Sequence, residues 1–242
     1  MDNLDKREGA SLVSQTVRGT VESRVRLAIV ENHFAPGTHL SDRLLGEEFG
    51  ASRNVVREVV RVLESEGLVT VIPNRGPFVS IVTAAEAVQI YELRGALEAL
   101  AGEGFATRAS EDERAALEAV FEELCAFKSK DQRALSAIKE RFYSILLTGC
   151  RNRFVEETLR QFLNRIAQLR MTTMASPGRL PNTIREMGRI MTAIRNRDGD
   201  GAAQACRDHV RAASIVASGI LREREAAALE DDQSPSRRSQ QG

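Results

Sequence analysis

Apolar residues in the first third of the chain fall at helical spacing and then change period. Val21, Val25, Ala28 and Ile29 recur about one turn apart between Val17 and His33, which predicts a helix there. Pro36-Gly37 breaks the chain. A shorter helix is predicted from Ser41 to Phe49, turning Leu44, Leu45 and Phe49 inward, with Gly50 placed to close its C-terminus. Ser52 is a cap for a third helix that runs to Glu66 and stops at Gly67. On that helix Val56, Val59, Val60 and Leu63 share one face and would pack against the first two. The period then shortens to that of strands. LVTVIPNRGPFVSIV, residues 68–82, reads as two β-branched strands around the turn Pro73 to Pro77. Three helices and a hairpin make a winged helix-turn-helix.

The rest of the pattern is helical. Thr83 with Glu86 and Ser110 with Glu113 form capping-box patterns, and further helix starts are expected at Asp131, at Asn152, near Pro181 and at Asp198. About six helices between Ala84 and Leu229 suffice for an antiparallel bundle. In the first of them Ile90, Leu93, Leu97 and Leu100 form an apolar stripe that Arg94 borders. Residues 1–10 and 230–242 have no apolar periodicity and are expected to be disordered. The expected fold is mostly α, with a winged helix over residues 11–82 and an all-α bundle over 83–229.

Composition narrows the function without naming it. Acids and bases balance at 34 each among 242 residues, so a nucleic-acid surface must come from local placement of charge. The three cysteines, Cys125, Cys150 and Cys206, are widely spaced and form no C-x-x-C, as expected of reduced thiols in a cytoplasmic protein. No run approaches the ~18 apolar residues of a membrane span. There is no nucleophile elbow, Gly-rich phosphate loop or H-E-x-x-H, and His209 is the only histidine of the second part, so no enzyme is expected.

The charge that matters sits at the start of the third helix. Opposite its valines lie Ser52, Arg53, Asn54 and Arg57. In a helix-turn-helix this end enters the major groove, where Arg pairs with guanine and Asn with adenine. Ser52 and the free amides at the helix start suit a phosphate; at the wing tip Gly76 allows a close backbone approach and Arg75 can reach the minor groove or a phosphate. One such helix reads too few bases for useful specificity, so a homodimer on an inverted repeat is expected.

The run PGTHLSDRLLGEEFGASRNVVREVVRVLESEGLVTVIPNRGPFV, residues 36–79, resembles the DNA-binding domain of the GntR family of bacterial transcription regulators. The resemblance implies DNA contacts at Arg43, Ser52, Arg53, Asn54, Arg57, Arg75 and Gly76. Asn54-Val55 replaces the usual Thr-Pro and Val59 an Ala, which bears on the operator sequence. YELRGALEALAGEGFA, IKERFYSILLTGCRNRFV and IREMGRIMTAIRNRDGDGAAQACRDHVRAA are similar to segments of the FadR-type C-terminal domain, FCD, and the short link after the wing resembles its VanR-like six-helix group.

Most FCD domains hold a divalent metal with one carboxylate and three histidines. The corresponding positions here are Lys139, Tyr143, Met187 and His209, so three of the four ligands are absent. Glu140 points about 100° away from Lys139 around the helix. No metal or other cofactor is expected. Instead the Lys139 ammonium would neutralise a small, carboxylate-bearing effector, with Tyr143 and His209 adding hydrogen bonds, Met187 lining the site and Arg94 clamping the carboxylate. The family more often represses than activates. The alternative is an architectural DNA-binding protein whose second domain only dimerises.

Overall fold

The computed structural model of the chain describes residues 18–129, 131–174 and 178–232. Residues 1–10 and 233–242, expected to be disordered, lie outside the described residues. The described residues fall into two compact units: those within 18–81 with 161–168, and those within 82–160 with 169–232.

The first unit is a winged helix-turn-helix. Helix α1 spans residues 18–30, α2 Asp42–Phe49 and α3 Arg53–Ser65. Val25, Ile29, Leu45, Val59 and Leu63 have no exposed surface and form the centre of the core. Caps define the turn between α2 and α3. Gly50 ends α2 in the left-handed region at φ 65°, which costs a glycine little, and the Ser52 hydroxyl faces the Val55 amide at the start of α3. Strands β1 (Val69–Ile72) and β2 (Gly76–Val79) pair antiparallel, with Val69 opposite Val79 and Ile72 opposite Gly76. Asn74 and Gly76, both at positive φ, turn the chain between them. This is the wing.

After the wing the chain forms α4 (Ala84–Arg108), α5 (Glu111–Ala126), α6 (Gln132–Gly149), α7 (Arg153–Met174), α8 (Arg179–Arg195) and α9 (Gly199–Asp232). Both expected capping boxes form, at Thr83/Glu86 and Ser110/Glu113. Helices α4 and α9 run antiparallel: the Ala84 amide donates to Glu225 near one end, and Gly102 faces Ala202 and Cys206 near the other. A Cβ on Gly102 would come within 2.7 Å of the Cys206 sulfur, so their close approach requires glycine.

Helix α8 begins at Arg179, near Pro181 as expected, and Pro181 lies within its first turn, where a missing amide costs no intrahelical bond. Two sequence expectations need correction. Helix α9 continues to Asp232, past the expected boundary at 230, because the alanine-rich run Ala226 to Leu229 favours helix without any periodicity. The stripe on α4 does not face the core as a whole: Ile90 is buried, but Leu93 and Leu100 are 39% and 47% exposed. The buried face carries Ala87, Tyr91, Arg94, Glu98 and Phe105 instead. Cys125 is exposed, Cys150 and Cys206 are buried, and all three are free thiols. No helix among the described residues is long and apolar enough to cross a membrane.

Candidate nucleic-acid interface and buried polar site

At the start of α3, Ser52, Arg53, Asn54 and Arg57 are all exposed, while Val56, Val59 and Val60 behind them are buried. The helix is therefore anchored on one side and free on the other. Arg53 and Arg57 are one turn apart and project from the same side. The Arg57 Nε lies 3.2 Å from Asp42 at the start of α2. Such a solvated pair is held weakly, so a phosphate can displace the carboxylate. Arg43 on α2 is 81% exposed and reaches back to Glu47. Arg75 at the wing tip is exposed and stacks over Phe78 at 5.4 Å, beside Gly76 at φ 91°. All seven residues assigned to DNA contact thus lie on solvent-accessible parts of the winged helix, in three groups: α2, the tip of α3, and the wing.

In the bundle the structure gathers charge into the core. Arg94 is 2% exposed; its Nε donates to Glu98 at 2.5 Å and its terminal nitrogen to the Tyr143 hydroxyl at 2.9 Å. Burial alone would favour loss of the guanidinium proton, but the adjoining Glu98 carboxylate prevails and holds the cation. Lys139 and Tyr143, one turn apart on α6, are both 3% exposed, and Met187 on α8 is fully buried. His209 on α9 is 1% exposed, with its Nδ1 2.7 Å from Glu186. Glu186 also accepts from both terminal nitrogens of Arg179, at 2.7 and 2.9 Å. The four positions that the resemblance singled out are thus buried side chains of one bundle, whereas Glu140 is exposed.

Burial and the bond to Glu186 decide where the His209 proton sits. Burial lowers its pKa to about 4, against the bond to Glu186, and the Lys139 ammonium lowers it further. Burial works against the Glu186 carboxylate, but hydrogen bonds from His209 and Arg179 outweigh it and bring that pKa down to about 2. Near neutral pH, Glu186 is an acceptor and the neutral imidazole donates from Nδ1, leaving Nε2 as an acceptor. That Nε2, the Glu98 Oε2, the Thr183 hydroxyl and the Arg179 Nε are buried without a hydrogen-bond partner among the described residues.

A stability prediction follows. Both groups have native pKa values below those of the unfolded chain, 6.5 for His209 and 4.5 for Glu186. As pH falls through 6.5 toward 4, the unfolded chain binds a proton that native His209 refuses, and Glu186 adds the same effect below 4.5. Thermal melting should therefore decline progressively on acidification from pH 7 to 4.5, and His209→Asn should flatten that decline. Equal slopes in both proteins would contradict the assignment.

The side chains here do not fit the family's metal. A Lys139 ammonium has no lone pair to give, Met187 is a soft, weak donor, and only His209 keeps an imidazole. Among the described residues no three His, Cys, Asp or Glu side chains are grouped to hold an ion.

Sequence reasoning missed Glu98, Thr183, Arg179 and Glu186 in this core. Arg94 and Glu98 are four residues apart, and Arg179 and Glu186 seven apart, so helical spacing was the available signal.

A winged helix with an exposed cationic tip, joined in one chain to a helical bundle with a buried polar centre, is the composition of a DNA-binding transcription regulator. Comparison with known proteins agrees. The bacterial regulatory proteins of the gntR family match residues 18–79, and the FCD domain matches residues 89–212. The chain belongs to the GntR family, in its FCD-containing branch. The galactonate operon transcriptional repressor of Escherichia coli is 28% identical, over 81% of this chain and 92% of its own. The HTH-type regulator YdhC of Bacillus subtilis is 26% identical, over 75% and 82%. Among solved structures, McbR/YncC of E. coli superposes with a TM-score of 0.72 at 19% identity, covering 83% of this chain and 96% of that one.

Proposed function

We propose that the protein is a cytoplasmic, homodimeric repressor that binds an inverted-repeat operator and releases it in response to a small carboxylate-bearing metabolite. The observation that carries the DNA half is the tip of α3: Ser52, Arg53, Asn54 and Arg57 are free to solvent on a helix that buried valines hold still. Arg53 and Asn54 read base edges, while Arg43, Ser52, Arg57, Arg75 and the Gly76 backbone hold phosphates. The galactonate operon repressor among the relatives supports repression as the mode. The exposed Leu93 and Leu100 on α4 supply an apolar surface for the dimer contact. The six helices that follow the wing among the described residues support the VanR-like group.

The effector half rests on the buried polar atoms that have no hydrogen-bond partner among the described residues, since leaving them unmet disfavours the bundle unless a ligand or water completes them. Lys139 does the work of the missing metal and neutralises the carboxylate, Tyr143 and His209 orient it, Met187 packs against it, and no metal takes part. Arg94 is already engaged by Glu98, so it contributes as part of that pair rather than as a free clamp. A second reading, a ligand-free dimerisation module, is favoured by the internal pairing of Arg94 and Arg179 and the near-complete burial of the site.

The experiment is a mobility shift on DNA from upstream of the gene, titrated with a panel of small carboxylates. One of them should release the wild type and raise its melting temperature by mass action, and Lys139→Met should need at least tenfold more of it. If no carboxylate acts, the ligand-free reading stands; if release by an active carboxylate is unchanged in Lys139→Met, the role of Lys139 is wrong.

A further inference from the structure

The wing presents one more polar side chain than the seven positions considered above. Residues 38–40 lie antiparallel to β2 as a third, short strand: Val79 donates to the Thr38 carbonyl at 2.9 Å, Leu40 donates to Pro77 at 2.8 Å, and His39 bridges Phe78. Leu40 is fully buried beside it, so the backbone at His39 is fixed from both directions.

The His39 side chain is exposed, and its ring lies 4.8 Å from the Phe78 ring. The Arg75 guanidinium lies 5.4 Å from that same ring. Phe78 therefore carries two nitrogen-rich groups, one from the turn and one from the preceding strand. Gly76 stands between them at φ 91°, and a Cβ there would come within 3.0 Å of His39 Nε2. The imidazole thus lies directly against the bare backbone of the wing turn. The contrast with His33 in the same unit is informative. His33 is 2.7 Å from the Glu48 carboxylate, whereas His39 makes no side-chain hydrogen bond or ion pair among the described residues.

We propose that His39 is a further DNA contact of the wing: its imidazole N–H donates to a phosphate oxygen adjacent to the one that Arg75 neutralises, with Phe78 holding the two at fixed spacing. The ligand is a phosphodiester, and the contact rests on the operator-binding reading. Aromatic stacking costs the imidazole little freedom and leaves its edge free to donate. A third strand delivering a side chain to the turn also explains why the turn needs a glycine as its neighbour.

The test uses full-length protein on one operator fragment, with His39→Ala, His39→Leu, His39→Asn, Arg75→Ala and Arg53→Ala. His39→Ala and His39→Leu should each bind about tenfold more weakly, the loss of one hydrogen bond to a charged group. His39→Asn, which keeps a donor, should recover part of that loss. The dependence of affinity on salt should fall by about one in Arg75→Ala, because an arginine that neutralises a phosphate releases a counterion. In ethylation interference, one phosphate per half-site should lose its effect in His39→Leu. If His39→Leu binds like wild type, the imidazole merely packs on Phe78 and the proposal is overturned. If Arg53→Ala also binds like wild type, the operator-binding reading falls with it; if only Arg53→Ala weakens binding, the reading stands and the wing contact alone is wrong.

Discussion

Arg53→Ala is expected to bind operator DNA about ten- to a hundredfold more weakly than wild type, and to lose preference at one base pair of each half-site. Arg53 sits at the first position of α3, exposed, with the buried Val56 and Val59 fixing the helix behind it. A side chain that pairs with a base edge carries sequence information, so its removal relaxes specificity as well as affinity. Arg57→Ala should behave differently. That arginine lies one turn further along and pairs at the surface with Asp42; as a phosphate contact, its loss should weaken binding to all sequences alike and lower the salt slope by about one. Fluorescence anisotropy on wild-type and point-mutated operator fragments separates the two patterns. The fold should survive both changes, since neither side chain is buried.

The second large effect is on stability. Glu98→Ala removes the carboxylate from the Arg94 guanidinium in the core of the bundle and leaves it its bond to the Tyr143 hydroxyl. Breaking a buried pair from one side costs on the order of 3–5 kcal/mol, because the surviving charge keeps its desolvation penalty. For a protein of this size, calorimetry should show a fall in melting temperature of roughly 10 °C. Replacing both residues together, Arg94→Met with Glu98→Met, removes both charges and should recover most of that loss. A melting temperature for Glu98→Ala equal to that of wild type would mean that the pair is not sealed from water.

The elements were readable in the sequence wherever local chemistry marks a boundary. Ser41, Ser52, Thr83 and Ser110 cap the helices that their side chains announce, and Gly50 closes α2 in the conformation that glycine favours. The wing turn was readable for the same reason, from Asn74 and Gly76. The exposed tip of α3 was legible because cations opposite a valine stripe can only face outward.

Burial of charge was legible only in part. The resemblance and the apolar stripe placed Lys139 and Arg94 in the bundle, but nothing marked Glu98, and periodicity treats Leu93 and Leu100 as core where the structure exposes them. An apolar stripe has the same spacing whether it meets its own core or a separate surface. A salt bridge between two buried residues likewise has the spacing of a solvated one. Glu186 escaped notice because the residues it joins, Arg179 and His209, come from different helices, and only the fold brings them together. His39 lay outside any helix and was not among the positions that the resemblance marked for DNA contact, so nothing local set it apart from a loop residue.

The central claim is that a dimer inserts the tips of two α3 helices into the major groove of operator DNA. Guanine-N7 methylation protection of the upstream fragment tests it most directly. Wild-type protein should protect two major-groove patches related by a two-fold axis, at a spacing of about one helical turn or a multiple of it, and the Arg53→Ala/Arg57→Ala double variant should abolish both. Protection that survives the double variant unchanged, or a wild type that protects no patch on any fragment near its gene, would contradict the claim.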